Sequence, residues 1–200
     1  MSSAPYRPGM GGALKGLLGM LLVGACLTLA IKVFLVELIV VSDPMMAPTL
    51  EQGDWFVGVK WVREPKPADL VVLTAEGKSY VRRVIAAGGQ KVGYRKGNPF
   101  VDGAAFPTKD TGEEATFSIP RADGLADQRK AKVLEQRIGE RSFRIYVDPK
   151  ERSRRRKAKK VPAGHVWVSC DNRSYCRDSR HFGTVPRAAV WAVAWEDATR

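Results

Sequence analysis

Two hundred residues set one domain with at most a small appendage, and 44% hydrophobic content supplies a core, which excludes wholesale disorder. The formal net charge of +12 admits a nucleic-acid partner, an anionic membrane surface, or one very basic surface loop.

The first predicted element is a membrane anchor. Gly16 to Ile31 carries no charge and is bounded by Lys15 and Lys32. Those residues reach only ~24 Å as a helix, against a hydrocarbon core of ~30 Å. Snorkelling lysines close the gap, so residues 14–36 serve as one tilted span. The apolar character continues through "VFLVELIVV" with no small-residue exit, which argues for a retained anchor over a cleaved signal peptide. Arg7 and Lys15 precede the span. They place a short segment, 1–13, inside and residues 37–200 outside the cytoplasmic membrane.

Behind the anchor the chain reads as β. "DWFVGVKWV" (54–62), "DLVVL" (69–73), "SYVRRVIAA" (79–87), "SFRIYV" (142–147), "HVWVS" (165–169) and "AVWAVAWE" (189–196) are short runs rich in Val and aromatics. Residues 103–132 are polar with few periodic cues and read as an insertion or long connection. A weak helical period touches Ala131–Gln136. Eight Lys or Arg fall within 150–160, a run that must be solvated and reads as a surface loop. Plain exposure, lipid-headgroup contact and nucleic-acid contact stay open for it, but no RNA- or DNA-binding motif stands beside it. The expected architecture is a mostly β domain behind one transmembrane helix.

Four blocks in order carry a resemblance. They are "VFLVELIVVSDPMMAPTL", "QGDWFVGVK", the pair "PADLVVL" and "YVRRVIAAGGQKV", and "VPAGHVWVSCDNRSYCRDSRHFGTVP". Together they resemble the type I signal peptidases, the membrane-anchored Ser–Lys peptidases of the S26 family. The resemblance implies a β-sheet, partial-barrel domain, removal of signal peptides from exported preproteins, and no cofactor or metal.

The same alignment exposes a defect. Anchored on Pro48-Thr49-Leu50, the family's nucleophilic serine falls on Met45; anchored on Tyr80 and Arg83, its general-base lysine falls on Arg82. The serine that resembles an oxyanion donor falls on Asp43, and the one that positions the lysine falls on Cys176. A thioether has no proton to lose and a guanidinium stays protonated, so neither performs the dyad's chemistry. A carboxylate at Asp43 opposes a developing oxyanion. Ser42 is the nearest hydroxyl, three residues before Met45; in extended chain that odd offset points it to the opposite face, unless a turn at Pro44 intervenes.

Other positions keep the family's character. Met46, Leu50, Tyr80 and Val81 resemble the apparatus that binds a signal peptide as an added strand, and they read equally as plain sheet residues. Asp178 and Arg180 resemble residues that hold the site's shape. Cys26 lies in the anchor, while Cys170 and Cys176 form a disulfide, stay free, or leave one reactive thiol. Three functions follow as expectations. The first is a non-catalytic homologue that binds signal peptides or partners an active peptidase or export component. The second is a protease with an unconventional nucleophile, and the third an envelope protein that keeps only the fold.

Overall fold

An apolar helix leads directly into a sheet. The computed structural model describes residues 10–60, 64–95, 97–121, 124–150 and 156–195. Helix α1 spans Met10–Phe34, and its Gly11–Phe34 portion is long and apolar enough to cross a membrane. Leu35 N–H still donates to Ile31 O at 2.8 Å, and Lys60 N–H then donates to Leu35 O at 2.9 Å. Strand β1 (Val36–Val40) therefore begins where the helical ladder stops, paired with β2 (Trp55–Val59) from Val36↔Val59 to Val40↔Trp55.

The rest is nearly all strand. In chain order follow β3 (Leu70–Ala75), β4 (Lys78–Ala87), β5 (Lys91–Arg95), β6 (Asn98–Val101), β7 (Ala104–Ala105), β8 (Thr108–Pro120), β9 (Ala126–Ile138) and β10 (Arg141–Val147). Then come β11 (Arg156–Lys160), β12 (His165–Ser169), a one-turn helix α2 (Ser179–Phe182), β13 (Val185–Pro186) and β14 (Val190–Ala194). Seven strands form the main sheet in the order β1-β2-β14-β3-β4-β12-β13; β10-β9-β8 and β11-β5-β6-β7 form two smaller sheets.

Strand β3 explains why the main sheet holds together. Leu70 and Val72 enter one apolar cluster with Ile39, Met46 and Phe56, while Val71 and Leu73 enter another with Val84, Val168 and Val193. Both faces of the strand are covered, so its sequence is an unbroken apolar run rather than an alternating one. Each such fully buried side chain contributes about 1.5–3 kcal/mol. A third cluster, around Ile85, Tyr94, Ile145 and Trp167, lies where the smaller sheets meet the main one.

Four local expectations need correction. Residues 103–132 are not a structureless connection: β8 and β9 cross them as a long antiparallel hairpin, with a register shift between Asp110 and Glu114. Its strands are exposed along much of their length, so burial imposes no alternation on the sequence. Ala131–Gln136 is strand, not helix, because Ala131, Val133 and Gln136 face inward from β9. The chain after Ser42 is not extended: Pro44–Met46 form a 3₁₀ turn capped by Asp43. In the basic run, residues 151–155 lie outside the described residues, and 156–160 form the exposed strand β11 rather than a loop.

Candidate functional site

The 3₁₀ turn, β4 and the 170–178 loop bring the aligned positions together. Met45 Sδ accepts from Arg82 Nη2 at 2.9 Å, so the two residues that the resemblance puts at nucleophile and base meet although 37 positions separate them. Arg82 is fully buried on β4. Its Nη1 donates to Val81 O at 2.6 Å and to Asp43 Oδ2 at 3.3 Å, and its Nε donates to Arg177 O at 2.8 Å. Burial holds its pKa below the usual guanidinium value, and the carboxylates of Asp43 and Asp178 offset only part of that. An arginine so placed remains a cation and takes no proton.

Asp43 does two things at once. Its Oδ1 accepts the main-chain N–H of Met45 at 2.9 Å, while its Oδ2 faces Arg82. In acyl-transfer enzymes the nucleophile residue's own N–H commonly stabilises the oxyanion. Here a carboxylate already holds that N–H.

The loop after β12 encloses the site. Asn172 N–H donates to Met45 O at 2.9 Å, and Arg177 N–H reaches Met45 Sδ at 3.2 Å. Cys170 and Cys176 are joined in a disulfide, with their Cα atoms 5.8 Å apart. Cys176 Sγ lies 2.8 Å from Asp178 Oδ2, a non-bonded contact because a disulfide sulfur has no proton. The donor set of Cys170, Cys176 and Asp178 is close-knit, but two of its members are bonded to each other. Asp178 is buried and accepts from Ser169 Oγ at 2.8 Å and from Arg180 Nε at 2.9 Å. Burial acts to raise its pKa; Arg180's charge and hydrogen bonds outweigh this and hold the carboxyl below its usual range.

Neighbouring Arg83 anchors the floor. Its Nη2 donates to Asp171 Oδ2 at 2.6 Å, with both side chains buried, and Thr49 Oγ1 donates to the same carboxylate. That fastens the Pro48-Thr49-Leu50 segment to β4 and the loop.

A cleft of about 230 Å³ opens beside these residues, lined by Glu37 to Asp43, Val72, Ser79 to Val81, and Trp191. Tyr80 and Val81 form its wall, whereas Met46 and Leu50 are buried in the adjoining core and do not line it. Sequence reasoning missed Leu38, Ile39, Val72, Ser79 and Trp191; the run after the anchor's end at residue 36 was read for its apolar character and family likeness, not as a strand lining a cleft. Ser42 also lines the cleft, yet no lysine or histidine stands among the described lining residues to activate it. Two strand edges border the opening. Strand β1 is the sheet's edge, and β12 covers β4 only from Arg83 to Ala87.

Comparisons with known proteins bear on this arrangement. A family model described as signal peptidase, peptidase S26, matches residues 14–195. Signal peptidase I of Bacillus caldolyticus is 28% identical over 169 residues, spanning 82% of this chain and 79% of that one. Signal peptidase I of Pseudomonas fluorescens is 27% identical over 177 residues, spanning 78% of this chain and 58% of that one. Among solved structures, a signal peptidase I from Enterococcus faecalis V583 superposes with a TM-score of 0.42 at 21% identity, covering 66% of this chain and 97% of that one. The apolar helix α1 and this kinship make it a membrane-anchored protein. The match over residues 14–195 runs from α1 to the end of β14, and the chain belongs to the signal peptidase S26 family.

Proposed function

We propose that this chain is a non-catalytic signal peptidase homologue that holds signal peptides or similar apolar segments as an added strand. One observation carries the reading: a thioether and a buried guanidinium meet where a hydroxyl and an amine are required, and Asp43 occupies the adjacent main-chain N–H. The thioether offers no nucleophile, the guanidinium accepts no proton, and the carboxylate opposes the oxyanion that the adjacent N–H would otherwise stabilise. The cleft, in contrast, asks nothing of the dyad. Main-chain groups along β1 and β4 supply strand pairing, and Ile39, Val72, Tyr80 and Val81 supply an apolar floor. Such a protein serves export by retaining segments for, or alongside, an active peptidase. Arg7 and Lys15, ahead of the uncharged run Gly16–Ile31, orient the β domain to the extracytoplasmic side.

Two measurements test this reading. Full-length protein in lipid nanodiscs should bind a labelled peptide ending in a small-x-small sequence, and Val81→Asp should weaken that binding at least tenfold. Absence of binding would overturn the peptide-holding reading. For orientation, protease added outside spheroplasts should digest the region after Val41; full protection would reverse the assigned side.

A further inference from the structure

We infer that the cleft, if it binds peptides as proposed above, selects those with a free C-terminal carboxylate, that is, cleaved products rather than intact precursors. Arg82 Nη2 and the main-chain N–H of Arg177 converge on one atom, Met45 Sδ, at 2.9 and 3.2 Å. A thioether is a weak acceptor. The other guanidinium nitrogens of Arg82 have oxygen partners in Arg177 O, Val81 O and Asp43 Oδ2. Nη2 alone is aimed at sulfur. A fully buried cation therefore turns its least satisfied nitrogen toward Met45.

Met45 is the movable part. It is half-buried, unbranched and turns about three side-chain bonds. Rotating it away exposes two convergent N–H donors. An oxygen placed there receives one charge-assisted bond and one main-chain bond. The cleft ends beside this point: its lining residues Val81 and Asp43 both accept from Arg82 Nη1, and Asp43 also accepts from Met45 N–H. An internal carbonyl offers those donors a neutral oxygen; a terminal carboxylate offers a charge to match the guanidinium. Asp43 and Asp178 are the anions nearest Arg82, and Asp43 engages Nη1 at 3.3 Å, longer than a good charge-assisted bond, leaving the Nη2 side to the ligand. Peptides with such new C-termini arise from hydrolysis of a peptide bond, so the reaction that supplies this ligand is the cleavage an active peptidase performs.

The test uses two peptides of identical sequence ending in small-x-small, one a free acid and one a C-terminal amide. Binding to full-length protein in nanodiscs is read by fluorescence anisotropy. The acid should bind at least tenfold more tightly, and Met45→Ala should widen the acid-to-amide ratio by removing the competing sulfur. Arg82→Leu should abolish the preference; should that variant fail to fold, the Met45→Ala ratio carries the test alone. Equal affinity of acid and amide, unchanged by Met45→Ala, overturns the inference while leaving peptide capture standing. Failure of both peptides to bind overturns both.

Discussion

Met45 Sδ and Arg82 Nη2 lie 2.9 Å apart, and these are the two residues that the sequence resemblance puts in place of a Ser–Lys dyad. Restoring one of them leaves the other without a partner. Met45→Ser faces a permanent cation, and Arg82→Lys has no hydroxyl to deprotonate. Each single variant should leave preprotein cleavage at the uncatalysed level, since dyad members act as a unit. The double variant should cleave weakly, because Asp43 still holds the Met45 main-chain N–H. Adding Asp43→Ser should raise the rate by ~10²–10³, the usual worth of one oxyanion donor. Further gain is expected from Cys176→Ser, which frees the loop from the disulfide. A gel-based assay with a small-x-small preprotein reads each step; strong activity from either single reversion would refute the reasoning.

The Arg83–Asp171 pair should be the largest single polar contributor to stability near the site. Both side chains are buried and joined at 2.6 Å. Asp171→Ala leaves an uncompensated guanidinium and should cost about 3–5 kcal/mol in urea unfolding. A loss below about 1 kcal/mol would mean that water or another group satisfies Arg83.

Acid should loosen the same region through Asp178. Its folded pKa lies below the ordinary carboxylate value, so the unfolded chain binds a proton first as pH falls. The stabilisation is complete above about pH 4 and is lost as pH drops from there through the lower folded value. In thermal melts from pH 7 to pH 2, Asp178→Asn should lower Tm at neutral pH and flatten its fall in acid. Parallel curves for both proteins would count against this assignment.

Gly93 tests the packing between β5 and β6. A Cβ built on it overlaps the Phe100 ring, which lies directly across the register. Gly93→Ala should destabilise by about 1–3 kcal/mol, the usual result of overpacking a filled site. Gly93→Ala with Phe100→Leu should recover part of that loss.

Legibility in the sequence depended on what each segment buries. The uncharged Gly16–Ile31 run and the Val-rich strands β3 and β4 announce themselves, because lipid in one case and two covered faces in the other demand apolar side chains. The β8–β9 hairpin did not, because partners such as Glu114 and Lys132 are both charged and need only each other and water. The sequence anchors Pro48-Thr49-Leu50 and Tyr80-Val81-Arg82-Arg83 pointed to Met45 and Arg82, and the structure brings those two side chains into contact. What Asp43 does was not readable there: its grip on Met45 N–H depends on the turn at Pro44–Met46, and its contact with Arg82 spans 39 residues. Met46 and Leu50 resembled the family's substrate-strand positions; in the structure both pack into the core beside the cleft.

The claim that the dyad positions are chemically silent is tested most directly by time-resolved mass spectrometry of a preprotein incubated with equimolar full-length, unmodified protein in lipid. The account predicts an intact preprotein and no acylated adduct over hours. Stoichiometric or faster cleavage at the small-x-small site, especially if Ser42→Ala abolished it, would contradict it.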